Sequence, residues 1–313
     1  MWYNFAMNEA KWYDINEKSA GEGRLLFSWY LYKIFGEKVL LLISFLVAFV
    51  SFITNRDVRG YSKKYFSVIY EYFGDKKLKP SFINSFRHVL SYANSLVFKL
   101  EAFGDTLNPE KIIFADSDKA SELYEKIRQK KGLVFIFNHI GNIEIMRSIL
   151  SNDKKLHPKS VCAFMEEDHC RIFRNFMKKI EKENDRIKIY PLEEIDLSTM
   201  SEIDDNLKEG GILFMAGDRI SSKNPDKSVE MNLFNKKIQI PLGAFKIAKI
   251  LKSDIYFVTC LREKNVFKIY LEDNSDKTEE ELRENFVSFM EKMTQISPYQ
   301  FYHFYDIFKD VKE

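Results

Sequence analysis

The residues best suited to do chemistry stand together at Phe137-Asn138-His139-Ile140-Gly141-Asn142-Ile143-Glu144. An imidazole is the side chain that most readily takes and returns a proton near neutral pH. This one follows a continuous apolar run, Leu133 to Phe137, which reads as a strand buried on both faces. It precedes the helical segment IEIMRSIL. In open α/β sheets ligands bind beyond the carboxyl ends of strands, so His139 stands where a catalytic group is expected. Gly141 lets the backbone turn tightly or approach a substrate. Glu144, in the first turn of the helix, is placed to reach back to one imidazole nitrogen and fix its tautomer. The other nitrogen is then left to take a proton. The bland alternative is a histidine satisfied by structure alone.

A second group, Gly217-Asp218-Arg219, follows the apolar run ILFMA at 212–216. Arg219 suits a phosphate or carboxyl group on a substrate, or the polarisation of a carbonyl. The competing reading makes Asp218 and Arg219 a pair that holds the turn. Asn138 and Asn142 either meet the substrate or bond the local backbone. Arg171 and Arg174 lie on the helix after the run VCAFM, where they meet a phosphate or form a solvated face. Arg147 and His88 read as surface residues, and His303 as one more ring in an aromatic tail. His169 sits beside three acids but has no second His or Cys pair at ligand spacing, so no metal site is expected. The three cysteines, Cys162, Cys170 and Cys260, have no paired spacing. They read as small apolar residues in a reducing compartment.

The elements that must position these groups change character along the chain. Residues 39–54, VLLLISFLVAFVSFIT, carry no charge. A helix of this length reaches ~24 Å, a little short of the ~30 Å hydrocarbon core, so membrane insertion and a buried core helix both remain open. Arg56, Arg59, Lys63 and Lys64 follow, which places the C-terminal side in the cytoplasm. Met1 to Lys18 lacks the pattern of a secretory signal. Residues 61–102 have helical apolar spacing, broken by GDKKLKP. After Pro109 helices and apolar strands alternate: a helix closed by Gly132, then strands at 133–137, 161–165, 187–190 and 212–216. A hairpin turning at Asn235-Lys236-Lys237, a helix after Pro241, two more strands and a long helix capped by Thr278 follow. The fold expected is α/β, a mostly parallel central sheet flanked by helices. Residues 1–105 form a helical membrane-associated region and 106–313 the catalytic domain. Net charge is only +2, which gives no case for nucleic acid, and no glycine-rich phosphate loop is present. No Gly-x-Ser-x-Gly elbow is present either, which disfavours a serine hydrolase.

Several blocks, in order, resemble one family. NHIGNIE looks like the H-x4-[DE] motif of the glycerolipid and lysophospholipid acyltransferase (LPLAT) superfamily, closest to the branch holding the late acyltransferases of lipid A biosynthesis. FSWYLYKIFGEKVLLLISFLVAFVSFITNRDVRGYSKKYF is similar to that branch's N-terminal segment, and MAGDRISSKNPDKSVEMNLFNKKIQIPLGAFKIAK to its second block. ISPYQFYHFYDIF resembles the aromatic tail of a bacterial subgroup. The resemblance implies a fatty acyl transfer from acyl-ACP or acyl-CoA, as co-substrate and with no cofactor, to a hydroxyl or amine of a lipid. His139 would be the general base, Glu144 its partner, and Arg219, Asp218, Asn142, Gly141, Asn138 and Arg171 substrate-binding groups. Backbone amides opening the helix after His139 would serve the oxyanion. The implied site of action is the cytoplasmic face of the inner membrane. Ile143 replaces the Trp usual before the motif acid of the lipid A enzymes, which leaves the acceptor open among a glycolipid, a lipid A-like lipid and a phospholipid. The alternatives are a thioester or lipid hydrolase using the same pair, and a non-catalytic lipid-binding protein.

Overall fold

A computed structural model describes residues 22–152, 158–180, 186–220 and 225–308. The readings of Met1 to Lys18, of Ser221 to Asn224 and of the Arg147 side chain lie outside the described structure. The chain begins with helices α1 (Glu22–Thr54), α2 (Arg56–Phe73) and α3 (Phe82–Phe103). A short strand β1 (Ile112–Phe114) and helix α4 (Ser117–Arg128) lead into strand β2 (Leu133–Gly141). Helix α5 (Glu144–Asn152), strand β3 (Val161–Met165), helix α6 (Glu167–Lys179) and strand β4 (Ile187–Pro191) follow. Next come helix α7 (Leu197–Lys208) and strand β5 (Ile212–Ala216). The hairpin β6 (Ser228–Leu233) and β7 (Lys236–Pro241) precedes helix α8 (Leu242–Ile250), strands β8 (Asp254–Glu263) and β9 (Val266–Asp273), and helix α9 (Glu279–Ile296).

Seven strands form one sheet in the order β1-β9-β8-β2-β5-β3-β4. Every pairing is parallel except β8 with β9, which a two-residue reversal joins. The fold is therefore α/β with a mostly parallel sheet between helical layers. β2 shows why the run LVFIF lacks polar residues. Val134 and Ile136 enter one core with α2, α8 and α9, while Leu133 and Phe135 enter the other with α3, α4 and α5. Parallel strands covered on both faces lack a polar side. The cores also run across residue 105, because Phe66 and Ile69 of α2 and Phe98 and Ala102 of α3 pack directly beneath the sheet.

α1 bends at Gly36. Its first half packs Trp29 against Phe176 of α6, and its second half packs Ala48 and Phe52 against α3. The opposite side presents Leu42, Leu46, Val47, Phe49, Val50 and Ile53 outward. The helix is long and apolar enough to cross a membrane by length and composition, and this outward face carries no charge.

Four local expectations are corrected. Lys130, with φ 56°, makes the left-handed turn after α4, so Gly132 does not close that helix. The hairpin turns at Phe234-Asn235 (φ 52° and 58°), and Lys236 and Lys237 already belong to β7. Paired positive φ values are the form whose twist matches a two-residue hairpin. β1 adds a three-residue strand parallel to β9 where no strand is expected from the sequence. His88 is fully buried, not a surface residue. Thr278 does cap α9, in a reciprocal pair of bonds with Glu281.

Candidate active site

β2 pairs regularly with β8 from Leu133 to Phe137, and then Gly141 pairs with Cys260. Four steps on β2 (137 to 141) match two on β8 (258 to 260), so β2 arches out of the ladder between Phe137 and Gly141. Bulges of this sort re-aim side chains at strand ends, and His139 rides the top of this one. The sequence allows the arch because Gly141 adopts φ +78°, and a Cβ there would lie 2.1 Å from the Cys260 carbonyl oxygen. Asn138 closes it from inside. Its buried Oδ1 accepts from the Ile140 amide (3.1 Å) and the Thr259 hydroxyl (2.8 Å). Asn142 donates through Nδ2 to the Ser95 carbonyl, tying the arch to α3. Both asparagines thus hold backbone.

The carboxylate on the imidazole is Asp218. His139 Nδ1 lies 2.8 Å from Asp218 Oδ1, and the His139 amide donates to Oδ2 at 2.6 Å. Glu144 does not bond His139, which corrects the expectation from spacing. It pairs instead with Lys99 of α3, across the start of α5. The physical reason is the arch: β2 and β5 are neighbours, so the residue just past β5 comes to lie under the arch, while Glu144 opens α5 on the side facing α3. Gly217 makes the approach possible. Its amide extends the β2–β5 ladder to the Phe137 carbonyl (2.9 Å), and a Cβ there would meet Ile136 and Phe286 at 2.7 Å.

Asp218 has a third donor that the sequence did not reveal. His303 Nε2 lies 3.0 Å from Oδ2, and Tyr305 Oη lies 2.7 Å from His303 Nδ1. With His303 neutral, the network has one consistent proton arrangement. Tyr305 donates to His303 Nδ1, His303 Nε2–H donates to Asp218, and His139 Nδ1–H donates to Asp218. Burial alone would raise the pKa of Asp218, but the imidazole of His139 and bonds from both histidines outweigh it and hold it well below the usual carboxylate range. Burial lowers that of His303, against the pull of Asp218, so this ring is neutral. The His139 side chain is 29% exposed, whereas Asp218 is fully covered. Nε2 of His139 takes no bond from the described residues.

The tail also sets Arg219. The Tyr302 amide donates to the His139 carbonyl (3.0 Å), and Arg219 Nη2 donates to the Tyr302 carbonyl (3.2 Å). His139, Gly141, Asn138, Asp218 and Arg219 are thus gathered at one edge of the sheet. Arg171 is not: it stands exposed on α6, paired with Asp168. Among the expected oxyanion donors, the Ile145 and Met146 amides are engaged by the Asn142 and Ile143 carbonyls. His303 belongs to the aromatic tail, and it packs 4.6 Å from the Phe301 ring as expected of its neighbours. Its bond to Asp218 spans 85 positions, and no spacing rule reports such a contact.

A histidine whose inner nitrogen is pinned by a buried carboxylate, at the carboxyl end of a central parallel strand, has the arrangement that proton transfer requires. Residues 112–310 match the family described as bacterial lipid A biosynthesis acyltransferase, and the chain belongs to that family. It is accordingly an acyltransferase. Comparison with individually curated proteins finds none that matches.

Proposed function

We propose that this acyltransferase moves a fatty acyl group from acyl-ACP or acyl-CoA to a hydroxyl or amine of a membrane glycolipid, lipid A-like lipid or phospholipid at the cytoplasmic face of the inner membrane. The observation that supports the mechanism is the bond from His139 Nδ1 to buried Asp218, with Nε2 of the part-exposed ring taking no bond from the described residues. Nε2 takes the proton of the acceptor as its oxygen or nitrogen attacks the thioester carbonyl. The tetrahedral centre collapses, the C–S bond breaks, and the leaving thiolate recovers the proton from His139. Asp218 holds the ring and stabilises the imidazolium. His303 and Tyr305 hold Asp218. Glu144, whose charge is close enough to His139 to interact with it, adds a second stabilising carboxylate braced by Lys99. Arg219 binds a phosphate or polarises the thioester. No resident metal or cofactor enters this scheme.

The test is incubation of the purified protein with acyl-ACP, and separately acyl-CoA, with and without a lipid extract, followed by mass spectrometry. Lipid-dependent loss of thioester with a new acylated lipid is expected. His139→Ala should lower the rate ~10³-fold or more while the protein remains folded. Free acid released equally with and without lipid would establish a hydrolase instead.

A further inference from the structure

A cavity lies beside the His139 site and borders it at Asn142 and Tyr302. It is a cleft of about 490 Å³ between α1, α3 and the turn joining β8 to β9. That volume falls within the ~300–1,000 Å³ of small-molecule sites. Its walls divide by chemistry. Leu41, Phe45 and Leu90 form an apolar side, and Arg87, Arg262 and Lys264 supply positive charge. His139, Asp218 and Arg219 are not among the lining residues. Tyr302 is the partition: its side chain faces the cleft, while its backbone holds His139 and Arg219.

The cations are arranged rather than scattered. The Arg262 guanidinium lies 3.8 Å above the Phe98 ring and 5.6 Å from that of Phe267, so its plane is set by stacking. Its nearest carboxylate, Glu37, is 3.9 Å away, at the limit of an ion pair. Arg87 and Lys264 are exposed and form no ion pair among the described residues. Three cations thus meet at the rim, with Glu37 and Glu101 acting on Arg262 and Glu263 beside Lys264. Phe45 stands in the outward apolar face of α1, flanked by exposed Leu42, Leu46 and Phe49. The cleft therefore opens where lipid would meet α1.

We propose that this cleft binds one membrane lipid with a net-anionic phosphate head, with its phosphate on Arg87, Arg262 and Lys264 and one acyl chain along Leu41, Phe45 and Leu90. The match is one of charge and polarity: a planar, stacked guanidinium with two exposed cations fits a phosphate, and the apolar wall beside it continues the face of α1. The site does not depend on the proton chemistry of His139.

The full chain in neutral detergent is titrated with dihexanoyl phosphatidic acid, dihexanoyl phosphatidylcholine and glycerol 3-phosphate, with calorimetry as the readout. Phosphatidic acid should bind at least ~10-fold more tightly than either comparator, because only it brings both net charge and chain. Arg87→Glu with Lys264→Glu should weaken it ~10-fold or more. Lys264→Gln alone, a change at an exposed turn that leaves the fold undisturbed, should weaken it ~3-fold. His139→Ala should leave binding unchanged. Equal binding of phosphatidylcholine would reduce the cleft to an apolar groove. Equal binding of glycerol 3-phosphate would make it a free-phosphate site. Unaltered binding in the cleft variants, or loss in His139→Ala, would place the lipid elsewhere. Each of these four results overturns the proposal, whatever the transfer assay shows.

Discussion

His88 and His139 are the same residue in two opposite settings. His88 is fully buried on α3 with both nitrogens engaged: Ser62 Oγ is 3.0 Å from Nδ1, and the Phe301 carbonyl is 2.6 Å from Nε2. Rings of Tyr65 and Phe304 pack on it. His139 has one nitrogen engaged, the other takes no bond from the described residues, and its side chain is part-exposed. The first is a tie between α2, α3 and the tail, and it has no nitrogen left for a substrate. The second is held firmly enough to be oriented and loosely enough to react. Occupancy of the second nitrogen, rather than burial or sequence neighbours, separates the structural from the chemical histidine.

The sharpest way to break this contrast is to change the carboxylate. Asp218→Asn should keep the packing but lose ~10³–10⁴-fold in kcat, since an amide neither sets the tautomer nor stabilises the imidazolium. Glu144→Gln should lose less, ~10–10²-fold, because it acts on His139 through space. Steady-state kinetics on both variants rank them, and the reverse order would return the orienting role to Glu144.

His88 is tested through stability. Burial outweighs its bond to Phe301 and lowers its pKa from 6.5 to about 4. Its folded-state value lies below the unfolded one, so its contribution is complete above pH 6.5 and is lost as pH falls from 6.5 toward 4. The loss amounts to roughly 3 kcal/mol. Urea melts across that range should show this slope, and His88→Gln should flatten it while leaving the transfer rate of the folded protein within a few-fold. A rate loss as large as that of His139→Ala would erase the distinction between the two histidines.

The smallest effect is expected at His303. His303→Leu removes one of three donors to Asp218, costing about 1–3 kcal/mol of its stabilisation. The His139–Asp218 pair then holds a proton more tightly, so the acid limb of the kcat/KM profile should move to higher pH, and His303→Gln, which restores an N–H donor, should return it. A loss of rate with no movement of the limb would reduce His303 to packing.

Much of the framework was legible from local pattern. The continuous apolar runs at 133–137, 161–165 and 212–216 became buried parallel strands, because strands covered on both faces exclude polar residues whatever their neighbours. The break at Gly74 and the cap at Thr278 depend on a few adjacent bonds and were equally readable. The hairpin turn was displaced to Phe234-Asn235 because cross-strand pairing sets the register there, overriding the preference of the turn residues. β1 was missed because three residues carry too little periodicity to register.

The sequence by itself determined that His139 would end a buried strand in an α/β sheet, since hydrophobic period and the Gly141 turn are local properties. It could not determine which carboxylate that imidazole would meet. Glu144 is five residues away and Asp218 is seventy-nine, yet strand order puts β5 against β2 and sends α5 toward Lys99. Contacts made across a sheet follow the order of its strands, and that order is a property of the whole packed chain rather than of any segment in it.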